Sequence, residues 1–276
     1  MTDAPPWLTV ARGTAPLIVS MPHSGVEIPV ARGAQLSSPW LARKDADWWI
    51  DRLYDFAPAL GATVIRTAIS RTVIDANRDP SGKSLYPGQN TTELCPTTTF
   101  DGEPLYRDGH APDANEIAAR RTLYFDPYHA AIGAEIARLR ESYPNIVLFD
   151  AHSIRSRIAR LFDGELPHLN IGTNSGASCA PELTGAVDEI CAASGFARVV
   201  NGRFKGGYTT RHYGAPAGGV HAIQLELAMR SYMDEPFSVS ADNWPRQYDA
   251  ERASLVRPVL EQILKACIRF AREERS

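Results

Sequence analysis

The chain has 276 residues, 44% of them hydrophobic and 22% charged, and a formal net charge of −3 from 29 Lys plus Arg against 32 Asp plus Glu. These globular values exclude a disordered chain, and the missing basic excess argues against a nucleic-acid partner. Apolar runs such as Ile146 to Phe149 are far too short to cross a bilayer, and Met1 to Pro6 holds no basic patch with an apolar stretch behind it, so a cytoplasmic protein without a membrane partner is expected.

In chain order, Leu17 to Met21 is an apolar run closed by Pro22 and predicts a buried strand. A loop follows to about Ala42. Asp45 to Leu60 predicts a helix, opened by acidic residues that suit its positive dipole end and stopped by Gly61. Thr63 to Ile69 predicts the next strand, and Arg71 to Asp75 is a further β-branched run leading into Asn77-Arg78. Residues 79–109, rich in Pro, Gly, Thr and Asn, form a long excursion of the kind that serves as a lid or binding wall. Asp113 to Phe125 and Tyr128 to Tyr143 predict two helices. Ile146 to Asp150 predicts a strand ending in Asp150-Ala151-His152. Later come strands at Leu169 to Ile171, Ala197 to Val200 and Val220 to Leu227, a glycine-rich basic loop from Asn201 to Gly219, and helices at Pro181 to Ala193 and Asp249 to Arg272. This alternation predicts a single α/β domain over residues 1–276, with a mixed central sheet flanked by helices.

The four cysteines (Cys95, Cys179, Cys191 and Cys267) are scattered without a C-x-x-C pair, which argues against a thiolate zinc site and a disulfide scaffold. Histidine is more informative. His23 and His152 each follow an apolar strand, and open α/β sheets build their sites at strand carboxyl ends. Each alone is as well explained by a tight turn. Together they point to a metal held by imidazole, with a nearby carboxylate fixing the tautomer. A third ligand is required, and Glu27, Asp45 and Asp47 are all in reach, although capping a helix is the commoner fate of the two aspartates. Glu226 lies between apolar neighbours in a strand; buried, it would have a raised pKa suited to a general base. Alternation alone slightly favours Gln224 and Glu226 facing solvent. Asn77, Arg78, Arg203, Lys205, Arg211 and His212 form a cationic set suited to carboxylates or phosphates, or simply a solvated loop. No Walker pattern, no G-x-G-x-x-G after a strand and no G-x-S-x-G is found.

Seven stretches occur together in one order: Ser20 to Gly25, Asp45 to Trp48, Ile74 to Arg78, Phe149 to Ser156, Asn201 to Gly207, Thr210 to Gly214 and Gln224 to Leu227. In these the chain resembles the N-formylglutamate amidohydrolases from about Leu17 to Met233. The resemblance implies a zinc-carboxypeptidase-like fold and a metal-dependent hydrolase, usually zinc, that releases formate from N-formyl-L-glutamate at the end of a histidine degradation route. It implies His23, Asp47 and His152 as metal ligands, with Asp47 ranked over Glu27, and Glu226 as general base and acid. It implies a small dicarboxylate substrate held by Asn77 and Arg78, with Arg203, Arg211 and His212 as weaker candidates for the second carboxylate or the oxyanion. Ala76 departs from the larger aliphatic residue expected there. Two other readings stay open: hydrolysis of another N-acyl amino acid or small peptide, and non-catalytic binding of acidic metabolites. The oligomeric state is not legible.

Overall fold

The computed structural model describes residues 4–273, so part of the N-terminal stretch read for a leader, residues 1–3, lies outside it. The apolar runs become seven strands: β1 (Leu8–Ala11), β2 (Leu17–Met21), β3 (Thr63–Thr67), β4 (Ile146–Ile154), β5 (Leu169–Gly172), β6 (Arg198–Val200) and β7 (Val220–Ala228). The helices are α1 (Val30–Gly33), α2 (Leu41–Lys44), α3 (Ile50–Leu53), α4 (Ala114–Arg120), α5 (Asp126–Arg140), α6 (Pro181–Ala193), α7 (Tyr208–Tyr213) and α8 (Ala250–Arg272). All seven strands join one sheet in the order β1-β3-β2-β4-β7-β5-β6. β1 runs antiparallel to β3 and β5 antiparallel to β7, while the remaining neighbours are parallel. The sheet is therefore mixed, with a parallel centre of β2, β4 and β7.

Strand side chains alternate between faces, and both faces of the centre are covered. Val19, Phe149, Ala151, Ile223 and Leu225 pack with Leu183 and Val187 of α6 and Leu260, Ile263 and Leu264 of α8. Ile18, Leu148 and Ala222 pack with Tyr128, Ile132 and Leu139 of α5. By the same alternation Asp150, His152, Gln224 and Glu226 take the α5 face. α5 begins near the level of Ser20, where the hydroxyls of Ser20 and Tyr128 meet at 2.9 Å. Beyond that level the face is free to line a cavity.

Four departures from the expected elements bear on the site. The helix expected over Asp45 to Leu60 is broken into α3 and a 3₁₀ turn at Ala57–Leu60. Trp49 takes φ +63°, a left-handed conformation that interrupts a helix. The break follows from anchoring: the Asp47 N–H donates to the His23 carbonyl (3.0 Å), and the Ser153 N–H donates to Asp47 Oδ2 (3.0 Å). Arg71 to Asp75 is turn rather than strand. The two helices expected between Asp113 and Tyr143 run on through a π turn at Arg121–Phe125, next to Pro127, whose nitrogen has no proton to donate. β4 extends four residues past its expected end at Asp150, which carries His152 on a strand rather than a loop.

Candidate active site

His23 follows β2, Asp47 sits in the anchored turn before α3, and His152 lies near the end of β4. All three are buried, and one donor atom from each lies within 4.8 Å of the others. His23 Nδ1 is 3.8 Å from Asp47 Oδ1, and His152 Nδ1 is 3.1 Å from Asp47 Oδ2. The opposite ring atoms are already committed: His23 Nε2 is 2.7 Å from Asp75 Oδ1, and His152 Nε2 is 3.0 Å from Asp150 Oδ2. With the proton on Nε2 and donated to a carboxylate, each ring presents an Nδ1 lone pair to the same point. His23 Nδ1 and Asp47 Oδ1 are buried without a hydrogen-bond partner, although a buried polar atom is normally satisfied. Two imidazoles and a carboxylate around one point, with orphaned donor atoms facing it, fit a divalent metal.

The electrostatics follow from the neighbours. Burial and the Arg71 guanidinium push His23 down to about 4, favouring the neutral ring a ligand needs. Burial also opposes charge on His152, but Asp150 and Asp47 outweigh it and raise that ring well above its ordinary value. Burial likewise opposes charge on Asp75, yet Arg71, Arg78 and His23 hold its carboxyl well below the usual range. Arg71 Nη2 donates to Asp75 Oδ2 at 2.6 Å, and Nη1 lies 3.6 Å from Asp47 Oδ1. Its guanidinium is stacked 4.7 Å over the Phe100 ring.

Glu226 stands opposite His152 in the β4–β7 register, and Gln224 opposite Asp150. Their exposures are 8% and 3%, which overturns the solvent-facing reading that alternation favoured. A central parallel strand has no solvent face, so a polar alternation there marks a site. Burial, reinforced by Asp47, raises Glu226 to about 7 against the pull of His152. Gln224 fixes its orientation: the Gln224 amide donates to Glu226 Oε2 (3.3 Å), while Gln224 Oε1 accepts from the Gly207 N–H (2.8 Å). A cavity of ≈ 60 Å³ brings together His23, His152 and Glu226 with Arg71, Arg78 and Arg203.

The remaining candidates divide. Asn77 is buried, with Nδ2 donating to Asp150 Oδ2 (3.1 Å) and Oδ1 accepting from the Thr209 N–H (2.8 Å), so it braces the site from its wall. Arg78 lines the cavity and is steadied by Thr92, whose carbonyl accepts from Nε at 3.0 Å. Arg203 lines it too, donating to the Leu161 carbonyl at 2.7 Å. Arg211 and His212 do not line it. Both ride on α7, a helix not foreseen in the glycine-rich loop, which turns His212 outward to stack on Tyr208 at 4.8 Å. His212 thus stands apart from the reacting groups. Glu27 is exposed and outside the metal-binding group, and Asp45 instead accepts from the Phe100 N–H at 2.7 Å. Arg71 and Asp75 escaped the sequence reading, because they sit in a β-branched run that resembled a strand.

The family model of N-formylglutamate amidohydrolase matches residues 15–233 of this chain. The N-formylglutamate deformylase of Pseudomonas aeruginosa is 46% identical over 267 residues, covering 96% of this chain and 97% of that protein. The N-formylglutamate deformylase of Pseudomonas putida is 45% identical with the same coverage. The crystal structure of N-formylglutamate amidohydrolase from Ralstonia eutropha JMP134 superposes with a TM-score of 0.79 at 22% identity, covering 98% of this chain and 99% of that one, and so shows a common fold. With a family match over most of its length and full-length relatives at such identity, this chain belongs to the N-formylglutamate amidohydrolase family.

Proposed function

We propose that this chain hydrolyses N-formyl-L-glutamate to formate and L-glutamate, with zinc held by His23, Asp47 and His152. One observation carries the reading: in a member of this family, three buried metal-type donors lie within 4.8 Å of one another, and two of them, His23 and His152, line a cavity with a buried carboxylate raised to about 7 and three guanidinium groups. Zinc at such a donor set supplies Lewis acidity and acidifies water.

The chain's own residues do the rest. Glu226, deprotonated, accepts on a carboxylate oxygen a proton from the attacking water, and the water oxygen forms the new bond to the formyl carbon. When the carbon–nitrogen bond breaks, Glu226 returns the proton to the departing glutamate nitrogen. Gln224 keeps the carboxylate aimed at the reacting carbon through its 3.3 Å hydrogen bond. Arg78 and Arg203 provide positive charge for the two substrate carboxylates, and Arg71 places a further cation beside His23, where negative charge develops on the formyl oxygen. Asp75 and Asp150 hold the two rings in the ligating tautomer.

The test is formate release from N-formyl-L-glutamate by purified protein, with and without a chelator, alongside metal analysis. Activity that is lost on chelation and restored by zinc supports the reading. Formate release that survives complete metal removal overturns the metal assignment, and release from N-acetyl-L-glutamate but not N-formyl-L-glutamate overturns the substrate.

A further inference from the structure

The wall of the cavity that faces away from the sheet is an irregular segment, residues 79–93, without strand or helix. Gly82 and Gly88 both take φ +79°, a conformation glycine adopts without steric cost, and have no atom within 4 Å of where a Cβ would stand, so neither turn is packed against its surroundings. The hydrogen bonds made inside the segment close local turns, such as Ser81 N–H to Asp79 Oδ1 (2.8 Å) and Gln89 N–H to the Tyr86 carbonyl (3.1 Å). Three of its residues, Tyr86, Asn90 and Thr92, fasten it to the cavity wall; Thr92 accepts from Arg78 Nε through its carbonyl (3.0 Å) and from Nη2 through its hydroxyl (3.1 Å). The Tyr86 hydroxyl donates to the Gly206 carbonyl (2.9 Å) and accepts from the Lys205 N–H (3.1 Å). Arg203 Nη2 donates to the Asn90 carbonyl (2.9 Å), and Asn90 Nδ2 donates to the Arg160 carbonyl (2.9 Å).

Tyr86 also braces a cation. The Arg203 guanidinium lies 5.4 Å from the Tyr86 ring and 5.2 Å from the Phe204 ring, and Arg211 lies 4.9 Å from Tyr86. The cavity, of ≈ 60 Å³, is well below the roughly 300–1,000 Å³ of a typical ligand pocket. A wall must move to admit a molecule of a dozen or so heavy atoms, on the order of such pockets' ligands. The sheet wall is formed by buried strands, and the Phe100 wall is tied by Arg155 and Lys44 to Asp101 at 2.6 Å each. Residues 79–93 belong to no strand or helix and are held across the cavity by hydrogen bonds from three of their residues, with no ion pair to a neighbouring element among the described residues.

We propose that residues 79–93 form a strap that opens to admit substrate and closes over it, with Tyr86 as its latch and as the positioning residue for Arg203. The proposal rests on the cavity being the hydrolytic site. Closure forms both bonds of the Tyr86 hydroxyl and completes the aromatic sandwich around Arg203 in one motion, so substrate capture and the placement of that cation are coupled.

The test uses the full-length, metal-loaded enzyme and tryptic nicking at Lys83, which is exposed in the strap. Nicking reports the population of the open strap when cleavage is slow relative to closing. Tyr86→Phe keeps the ring and loses the hydroxyl with both of its hydrogen bonds, and should be nicked at least about tenfold faster. Its KM for N-formyl-L-glutamate should rise more than its kcat falls. Asn90→Ala, which removes the tie to Arg160, should also be nicked faster. In Glu226→Gln protein, saturating N-formyl-L-glutamate should slow nicking, and adding Tyr86→Phe should weaken that protection. Unchanged nicking in both strap variants, with formate release intact in the parent enzyme, overturns the latch alone. Faster nicking of both strap variants of a parent enzyme that releases no formate overturns the hydrolytic reading and leaves the latch standing.

Discussion

Glu226 is the residue on which the chemistry turns, because burial holds its carboxyl at about 7 while its neighbours are metal-type donors. Glu226→Gln keeps the shape and removes the base; turnover should fall by at least about 10²–10⁴-fold, the range for a general base, with metal content unchanged. Substantial formate release by that variant would end the assignment. The sign of the pH dependence follows. The carboxylate is the active form, so kcat/KM should fall as pH drops through a limb at or below about 7, since a cation on the neighbouring donors favours the charged form. At a similar scale, Asp75 holds His23 through a 2.7 Å contact. Asp75→Asn should weaken zinc affinity by about 10–100-fold, the usual effect of losing a partner that orients a ligand. Competition with a chromophoric chelator measures it, and unchanged affinity would show that Asp75 serves Arg71 rather than the ring.

Among the elements, strand ends and turns are tied to one another more than to solvent. The turn before α3 is bound to β2 by the Asp47 N–H and to β4 by the Asp47 carboxylate, and Tyr232 adds a hydroxyl bonded to Ser153 Oγ (2.7 Å) and to the Trp48 carbonyl (2.8 Å). Gly207, which leads into α7, packs against the Asn77 amide so closely that a Cβ would stand 2.3 Å from Nδ2. Gly207→Ala should cost about 1–3 kcal/mol by overpacking and displace Asn77 from Asp150. Chemical denaturation would show a lowered midpoint, together with reduced formate release. An unaltered midpoint would mean that α7 shifts without strain.

For the molecule as a whole, the metal-type donors lie just after β2, in the turn before α3 and near the end of β4, separated by up to 129 residues of chain but gathered at the carboxyl ends of central strands. A ligand that binds the folded form alone stabilises it by RT ln(1 + [L]/Kd), about 2.7 kcal/mol at a hundredfold excess over Kd. Thermal unfolding should therefore shift downward on chelation and recover when zinc is returned. A transition temperature indifferent to metal would argue that these donors hold no ion in solution.

Position in the chain carried much of this. Two histidines after apolar strands and Glu226 within an apolar strand were legible in sequence, because each interrupts a hydrophobic pattern near a strand end; the acid before Trp48 was legible only through the family resemblance. So was a long irregular excursion over residues 79–109. Pattern alone could not rank Asp47 above Glu27, since it gives spacing along one element and not the distance between elements; folding puts Asp47 against both histidines and leaves Glu27 exposed. It pointed Glu226 outward, because a period of two does not reveal whether the second face is covered. It missed Arg71 and Asp75, whose roles arise from contacts with His23 and Asp47. It grouped His212 with the site, whereas α7 rotates that ring away. The sequence by itself determined the layered fold and the residue types gathered at the site, because local periodicity and strand-end polarity are encoded along the chain. Which of those residues meet was decided by the tertiary structure, because the pairing of β2, β4 and β7 and the anchoring of the turn before α3 depend on packing between distant segments.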